Sequence, residues 1–289
     1  MTSDITQAVD PFMLRDRPIG EVLDRVAASG FEAIELSHRD DVLPLFVEPT
    51  ATETSIAELR GGLAASGVSI ASVWVVYDWS NPDEAVRRRA VDWWRRAIEV
   101  TAELGVHRMN TEFAGDPQQP VESERSWRRS IEELVPMLEG AGITLSIEPH
   151  PYDFIEDGVR ATDLVRGLGT ERVRYLYCAP HSFSLGGEVA DLVDAGSGIT
   201  GHVHVADTYR PHTIIVNPPG RRPDVRVHQH LDIGAGEVPF ELIFERLAVQ
   251  RFAGVVTVSV FFFDERADES FRHNKARLDA LLRGARLIE

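Results

Sequence analysis

Eight short apolar runs, each followed by an amphipathic stretch, constrain this chain more than any other feature. Read as strands, the runs are Ile5–Leu14, Phe31–Ser37, Val68–Tyr77, Val106–Phe113, Ile143–His150, Val173–His181, Ile199–Asp207 and Gly254–Phe262. Helical spacing covers Pro18–Ser29, Thr52–Ser66, Pro82–Leu104 and Glu122–Glu139, with glycine just beyond each, where a left-handed residue closes a helix at little steric cost. Asn81-Pro82 reads as an N-cap followed by proline in the first helical turn. Shorter helices are predicted at Val159–Leu168, Glu188–Asp194 and Pro239–Arg251, and a long one at Glu269–Arg286.

Eight strand–helix units in 289 residues predict an α/β fold, a single (β/α)8 TIM barrel over residues 1–289. The runner-up is a doubly wound open sheet. No GxGxxG follows the first run and no GxxxxGK[ST] occurs, so that fold is disfavoured and no nucleotide cofactor is expected. One long irregular stretch, around 208–238, is rich in Pro, Gly, Arg and His. Loops of that length in compact domains are commonly functional.

Charge and composition remove several function classes. Thirty Lys+Arg against 46 Asp+Glu give a net charge of −16, which repels a phosphate backbone, so nucleic acid is not an expected partner. Lys275, in the last helical stretch, is the sole lysine, which excludes Schiff-base chemistry in a barrel pocket. No apolar run reaches the ~18 residues of a membrane span, and MTSDITQAVD has neither the basic nor the apolar region of a signal peptide. One cysteine forms no internal disulfide, which fits a cytoplasmic protein. A homo-oligomer is compatible with the sequence, but no residue pattern specifies one.

In a barrel of this kind catalytic groups gather at the C-terminal ends of the strands. The residues predicted there are Asp10, Glu35 with His38, Asp78, Glu112, Glu148 with His150, Cys178 with His181, His204 with Asp207, and Ser259. Glu148 ends the apolar strand of TLSIEPH, where a carboxylate in a low dielectric needs a cation or a proton to move. The ordinary alternative is a structural pair with an arginine. His202 and His204 face the same side by strand alternation, which suits metal or substrate contact, or else a core histidine bonded to a carbonyl. Cys178 by itself reads as a small core hydrophobe. Its place at a strand end, three residues before His181, adds a thiolate to a plausible zinc set. His228 and His230 precede a Gly-rich turn, either as site residues or as solvated loop histidines. Arg210 is placed to pair with a substrate oxygen. Trp74, Tyr77, Trp79, Phe113 and Phe183 either wall a sugar-like ligand or pack the core.

These residues resemble the xylose-isomerase-like TIM barrels, the sugar-phosphate isomerase/epimerase family, over nearly the whole chain. MNTEF, IEPHPYDF, YLYCAPHSF, VNPPG and RVHQHLDIGAGEVPF are most similar to inositol-catabolism proteins of the IolH type. The resemblance implies one divalent cation, zinc or manganese, and a fifth-strand glutamate, here Glu148, that both binds it and moves a proton. It makes His204 the seventh-strand ligand, and His181 and Arg210 the substrate-binding pair. Two positions depart: the sixth-strand aspartate is Cys178, and the eighth-strand glutamate is Ser259. The metal set that remains is Glu148, Cys178 and His204, with zinc favoured over magnesium by the thiolate. The catalytic set is Glu148, His181 and Arg210, with Glu112, His150, His228, His230 and Trp74 as substrate contacts. The implied function is α-proton abstraction from an inosose or keto-sugar, by an isomerase or epimerase. The alternatives are a dehydratase working by β-elimination, and an inactive barrel that binds a sugar-like ligand or a partner protein. Abasic-site endonucleases, similar in fold, need a richer zinc cluster and a surface that tolerates DNA.

Overall fold

In the computed structural model, which describes residues 5–37, 52–210 and 229–289, eight parallel strands close into a barrel in chain order. They are β1 (Thr6–Val9), β2 (Ala33–Leu36), β3 (Ser69–Trp74), β4 (Arg108–Glu112), β5 (Thr144–Glu148), β6 (Val173–Cys178), β7 (Thr200–Val205) and β8 (Val255–Val258). β8 pairs back onto β1, with Ala8 beside Thr257 and Val9 beside Val258. The helices between them are α1 (Ile19–Ala28), α2 (Glu53–Ser66), α3 (Glu84–Glu103), α4 (Pro120–Ala141), α5 (Gly158–Arg166), α6 (Ala179–Leu185), α7 (Val189–Ala195), α8 (Phe240–Val249) and α9 (Ala267–Gly284). No helix among the described residues is long and apolar enough to cross a membrane.

Strand alternation divides the side chains between two environments. On β5, Leu145 and Ile147 point outward and join the core between strands and helices, while Ser146 and Glu148 point into the barrel. Met109 on β4 and Val203 and Val205 on β7 follow the same rule. Lower in the barrel, Ala8, Ala33, Ala71 and Val255 form a separate cluster of small side chains suited to its narrow interior.

Several predicted boundaries move, each for a local reason. The run Ile5–Leu14 splits: β1 stops at Val9, and the Asp10 carboxylate accepts the Phe12 amide at 2.9 Å, so Phe12–Leu14 forms a 3-10 turn. The run Val173–His181 ends at Cys178, because Ala179 opens α6 with Pro180 in its first turn. Asp83, not Asn81, caps α3 by accepting the amides of Ala85 and Val86 at 2.8 and 3.3 Å. The glycines perform as expected at Gly67 and Gly142, which cap α2 and α4 with φ of 70° and 67°.

Of the long loop, 211–228 lies outside the described residues, but its two ends are anchored. Asp207 and Leu231 form a bridge through paired backbone bonds of 2.8 Å. The buried Asp207 carboxylate accepts the amides of Thr208, Gly234 and Val238 at 2.9, 2.8 and 3.0 Å. Gly236 is required beside it, since a Cβ there would stand 2.5 Å from both the carboxylate and the Thr208 carbonyl. Asp207 is therefore a latch for the loop. Asp207→Ala leaves those amides without their acceptor, and at about 1–3 kcal/mol for an unsatisfied buried group the variant is expected to lose about 3 kcal/mol in a urea melt.

Candidate active site

The C-terminal ends of the strands surround a cavity. Asp10 enters from the end of β1, Glu35 and Ser37 from β2, Trp74 from β3, Glu112 from β4, Glu148 and His150 from β5, and His204 from β7. His181 reaches in from α6 and His230 from the anchored end of the long loop, while Phe12 and Phe261 supply apolar wall. The described lining thus carries four carboxylates and four imidazoles, with no arginine or lysine among the described residues.

His204 is the hub. Its Nε2 lies 2.8 Å from Glu35 Oε1, and its Nδ1 lies 3.2 Å from Glu148 Oε2. Glu35 is fixed from below by the Ser72 hydroxyl at 2.6 Å and by a short contact from the Asn110 amide. The other Glu148 oxygen stands 3.2 Å from His181 Nδ1, and His181 Nε2 stands 3.1 Å from His230 Nε2. His230 donates its Nδ1 proton to the Ser259 carbonyl at 2.6 Å and stacks on Phe261 at 4.5 Å. That bond strips the proton from Nε2 in a neutral ring. A neutral His181 then has one proton for two contacts, and one of them sets lone pair against lone pair. A cation or an extra proton relieves that conflict.

The donor chemistry accommodates a metal. Ligand atoms of Glu148, Cys178 and His204 lie within 4.8 Å of one another, and so do those of Cys178, His181 and His230. Glu148 Oε2 is buried and makes no well-aligned hydrogen bond. Thiolate and imidazole donors suit zinc, and the Glu35 carboxylate behind His204 is the outer partner that orients a metal-binding imidazole.

Burial and neighbouring charge sort the groups by proton affinity. Burial raises Glu35, but the imidazoles of His204 and His202 outweigh it and hold the carboxyl down to about 2. His204 is held well above its ordinary value, because the pull of Glu35 overcomes the cost of burial. Burial and the Glu35 charge push Asp10 up to about 7. Burial and the facing Glu148 carboxylate push Glu112 up to about 8. Burial, reinforced by His150 and His230, drives His181 well below its ordinary range. Burial also lifts the Cys178 thiol to about 12, so metal binding there must displace a firmly held proton.

Other residues singled out in the sequence lie elsewhere. His202 sits deeper in the barrel, bonded to Thr257 at 2.8 Å and lowered by burial to about 3. The Arg210 guanidinium packs over Phe183 at 4.7 Å and is not among the described lining residues. His38 and His228 fall outside the described residues. Tyr77 and Trp79 pack on Trp94, and Phe113 packs on Trp127, all of them behind the strands. Trp74 does line the cavity, 5.3 Å from the His204 ring. Asp10 and Glu35 were legible as strand-end acids but carried no assigned role. Their signal was alternation, since Ala8 and Ala33 two residues earlier face the barrel interior.

A closed eight-stranded barrel with an acid-and-imidazole cavity at its C-terminal mouth places the molecule among the TIM barrels. A family model described as the xylose isomerase-like TIM barrel matches residues 23–280, and the chain belongs to that family. Among solved structures it is similar to an IOLI protein with a bound zinc atom, with a TM-score of 0.77 and 17% identity over 96% of this chain and 98% of that one. It is also similar to a D-psicose 3-epimerase, with a TM-score of 0.76 and 16% identity over 96% and 99%. A third is the 3-keto-D-glucoside 4-epimerase of E. coli, with a TM-score of 0.73 and 18% identity over 97% and 100%. No curated protein matches the chain at a significant level.

The raised Asp10 carboxyl has a testable sign. A carboxyl whose folded value, about 7, exceeds its ordinary 3.8 costs stability in full above pH 7, progressively less as pH falls toward 4, and nothing below. Asp10→Asn is therefore expected to raise the melting temperature most at pH 8, with the advantage fading by pH 4 in a series of thermal melts.

Proposed function

We propose that this protein is an isomerase or epimerase that removes the α-proton of a small, polyhydroxylated carbonyl compound, an inosose or a keto-sugar. The observation that carries the reading is Glu148, a buried carboxylate at the barrel mouth held between His204 and His181. Acid-lined walls without a described arginine or lysine favour a neutral substrate over a phosphorylated one. The family, and the sugar epimerases among the similar structures, support the same chemistry.

In this mechanism Glu148 accepts the α-proton, and the C–H electron pair becomes the double bond of an enediolate. His181, kept neutral by burial, bonds a substrate hydroxyl. Glu112 and His150, 3.6 Å apart, bind hydroxyls on the neighbouring wall, and Trp74 covers an apolar face of the ring. Glu148, Cys178 and His204 would hold one zinc or manganese ion, with zinc the better match to the thiolate. A bound cation polarises a carbonyl and so acidifies the neighbouring C–H. Arg210 joins this catalytic set only by leaving its place over Phe183.

One observation favours β-elimination as a second reading. Glu112, pushed up to about 8, holds its proton at neutral pH on the same wall as Glu148, where it can protonate a departing hydroxyl. The two outcomes differ in product, since elimination yields a chromophoric enol or dione and isomerisation does not.

Two measurements test the reading. Wild-type protein in D2O is expected to exchange the α-proton of the ketose or inosose epimer that presents it to Glu148, followed by NMR, and Glu148→Gln is expected to lose at least about 100-fold of that exchange. Equal exchange by both proteins rejects Glu148 as the base. Stabilisation by a polyol without exchange supports an inactive binding barrel instead. Elemental mass spectrometry of protein prepared without chelator is expected to find about one transition metal per chain, lost in Cys178→Ser. A Cys178→Ser protein that keeps its metal removes the thiolate from the ligand set.

A further inference from the structure

We propose that Asp10 is a second proton carrier, working on the face of the substrate opposite Glu148, so that the enzyme inverts a carbon centre by a two-carboxylate transfer. This inference rests on the α-proton chemistry proposed above.

In a closed barrel of eight strands in sequence, β1 stands four strands from β5 in either direction, so Asp10 and Glu148 enter the cavity from opposite walls. The other acids do not share that relation. Glu112 is in register with Glu148 on the adjacent strand and approaches a ligand from the same side. Glu35 is consumed by His204, Ser72 and Asn110, which hold it as a fixed anion.

Asp10 is built for proton exchange rather than for charge pairing. It is buried, and the charge of Glu35 beside it outweighs the pull of the His204 imidazole. Its described hydrogen bonds, from the Ser37 hydroxyl at 2.6 Å and the Phe12 amide at 2.9 Å, both fall on Oδ1. Those two bonds fix the carboxyl plane and leave the chemistry to Oδ2. Its proton affinity near neutrality agrees with that role. Position adds a further point. The Asp10 amide donates to the Val258 carbonyl at 2.8 Å, which sets Asp10 beside Ser259 at the end of β8. The eighth strand thus ends in a residue that cannot carry a proton as a carboxylate does, and the adjacent strand supplies one that can.

The step balances without a co-reactant. Ionised Glu148 takes the α-proton, the C–H pair forms the enediolate double bond, and protonated Asp10 delivers its proton to the opposite face of the same carbon. Glu148 ends protonated and Asp10 ionised, the reverse of the starting state, and exchange with water resets both.

The test uses the full-length protein in D2O with epimeric pairs, D-fructose with D-psicose and two α-epimeric inososes, followed by NMR. Wild type is expected to interconvert one pair with one solvent deuteron in the product. Asp10→Asn is expected to lose interconversion by at least about 100-fold. It still exchanges the α-proton of the epimer that presents it to Glu148, with configuration retained. Glu148→Gln is expected to show the mirror pattern, exchanging only the other epimer. Each variant stays active on one substrate, so folding is checked within the assay, and Asp10→Ser repeats the arm if Asp10→Asn is insoluble. Interconversion by Asp10→Asn within about threefold of wild type overturns the inference. So does loss of exchange from both epimers in folded Asp10→Asn, or wild-type exchange without inversion, and each of these leaves the proposed function standing. Absence of exchange in wild type overturns the proposed function and this inference with it.

Discussion

The imidazole of His204 lies between two buried carboxylates, Glu35 from β2 and Glu148 from β5, and the rest of the site depends on that bridge. Four acids at one barrel mouth repel one another in a low dielectric, and the fold tolerates them only because some are paired and some stay protonated. His204 offsets the charge of Glu35 and, through its second ring nitrogen, reaches Glu148, so it ties together three strands separated around the barrel. Removing one partner of such a buried pair leaves a bare charge, at a cost of about 3–5 kcal/mol.

A division of labour follows from the pairing. Glu35 serves as a fixed anion that orients His204, with Ser72 and Asn110 beneath it. Asp10 and Glu112 are pushed up toward neutrality, so they can hold and release protons. Glu148 stands between the two groups, close to both ring systems and to the thiol of Cys178. His230 belongs to no strand, yet it reaches the cavity because Asp207 latches the end of its loop and the Ser259 carbonyl fixes its ring.

Much of this was legible in the residue pattern. The repeated strand–helix unit implied the barrel, and barrel geometry implied that Glu112, Glu148, Cys178 and His204 would gather at one end. Alternation put His202 on the same side as His204, and the structure sets it one layer deeper, where Thr257 and Asn110 occupy it. The roles of Asp10 and Glu35 were less accessible. The run Ile5–Leu14 looked like one long strand, which hid that β1 stops at Val9 and that Asp10 turns the chain. Phe12 and Phe261, both apolar, gave no sign that they would wall a cavity. The spacing of Arg210 from His204 fixed its place along the chain and not the direction of its side chain, which packs on Phe183.

By itself the sequence determined the barrel, the end at which its polar residues collect, and the chemical types present there, because hydrophobic periodicity and strand alternation are properties of local chain geometry. Only the tertiary structure decided which acid faces which imidazole, which carboxylates keep their protons, and that Asp10 stands across from Glu148. Those relations depend on distances between strands far apart in the chain and on the dielectric that closing the barrel creates, and neither quantity exists until all eight strands have met.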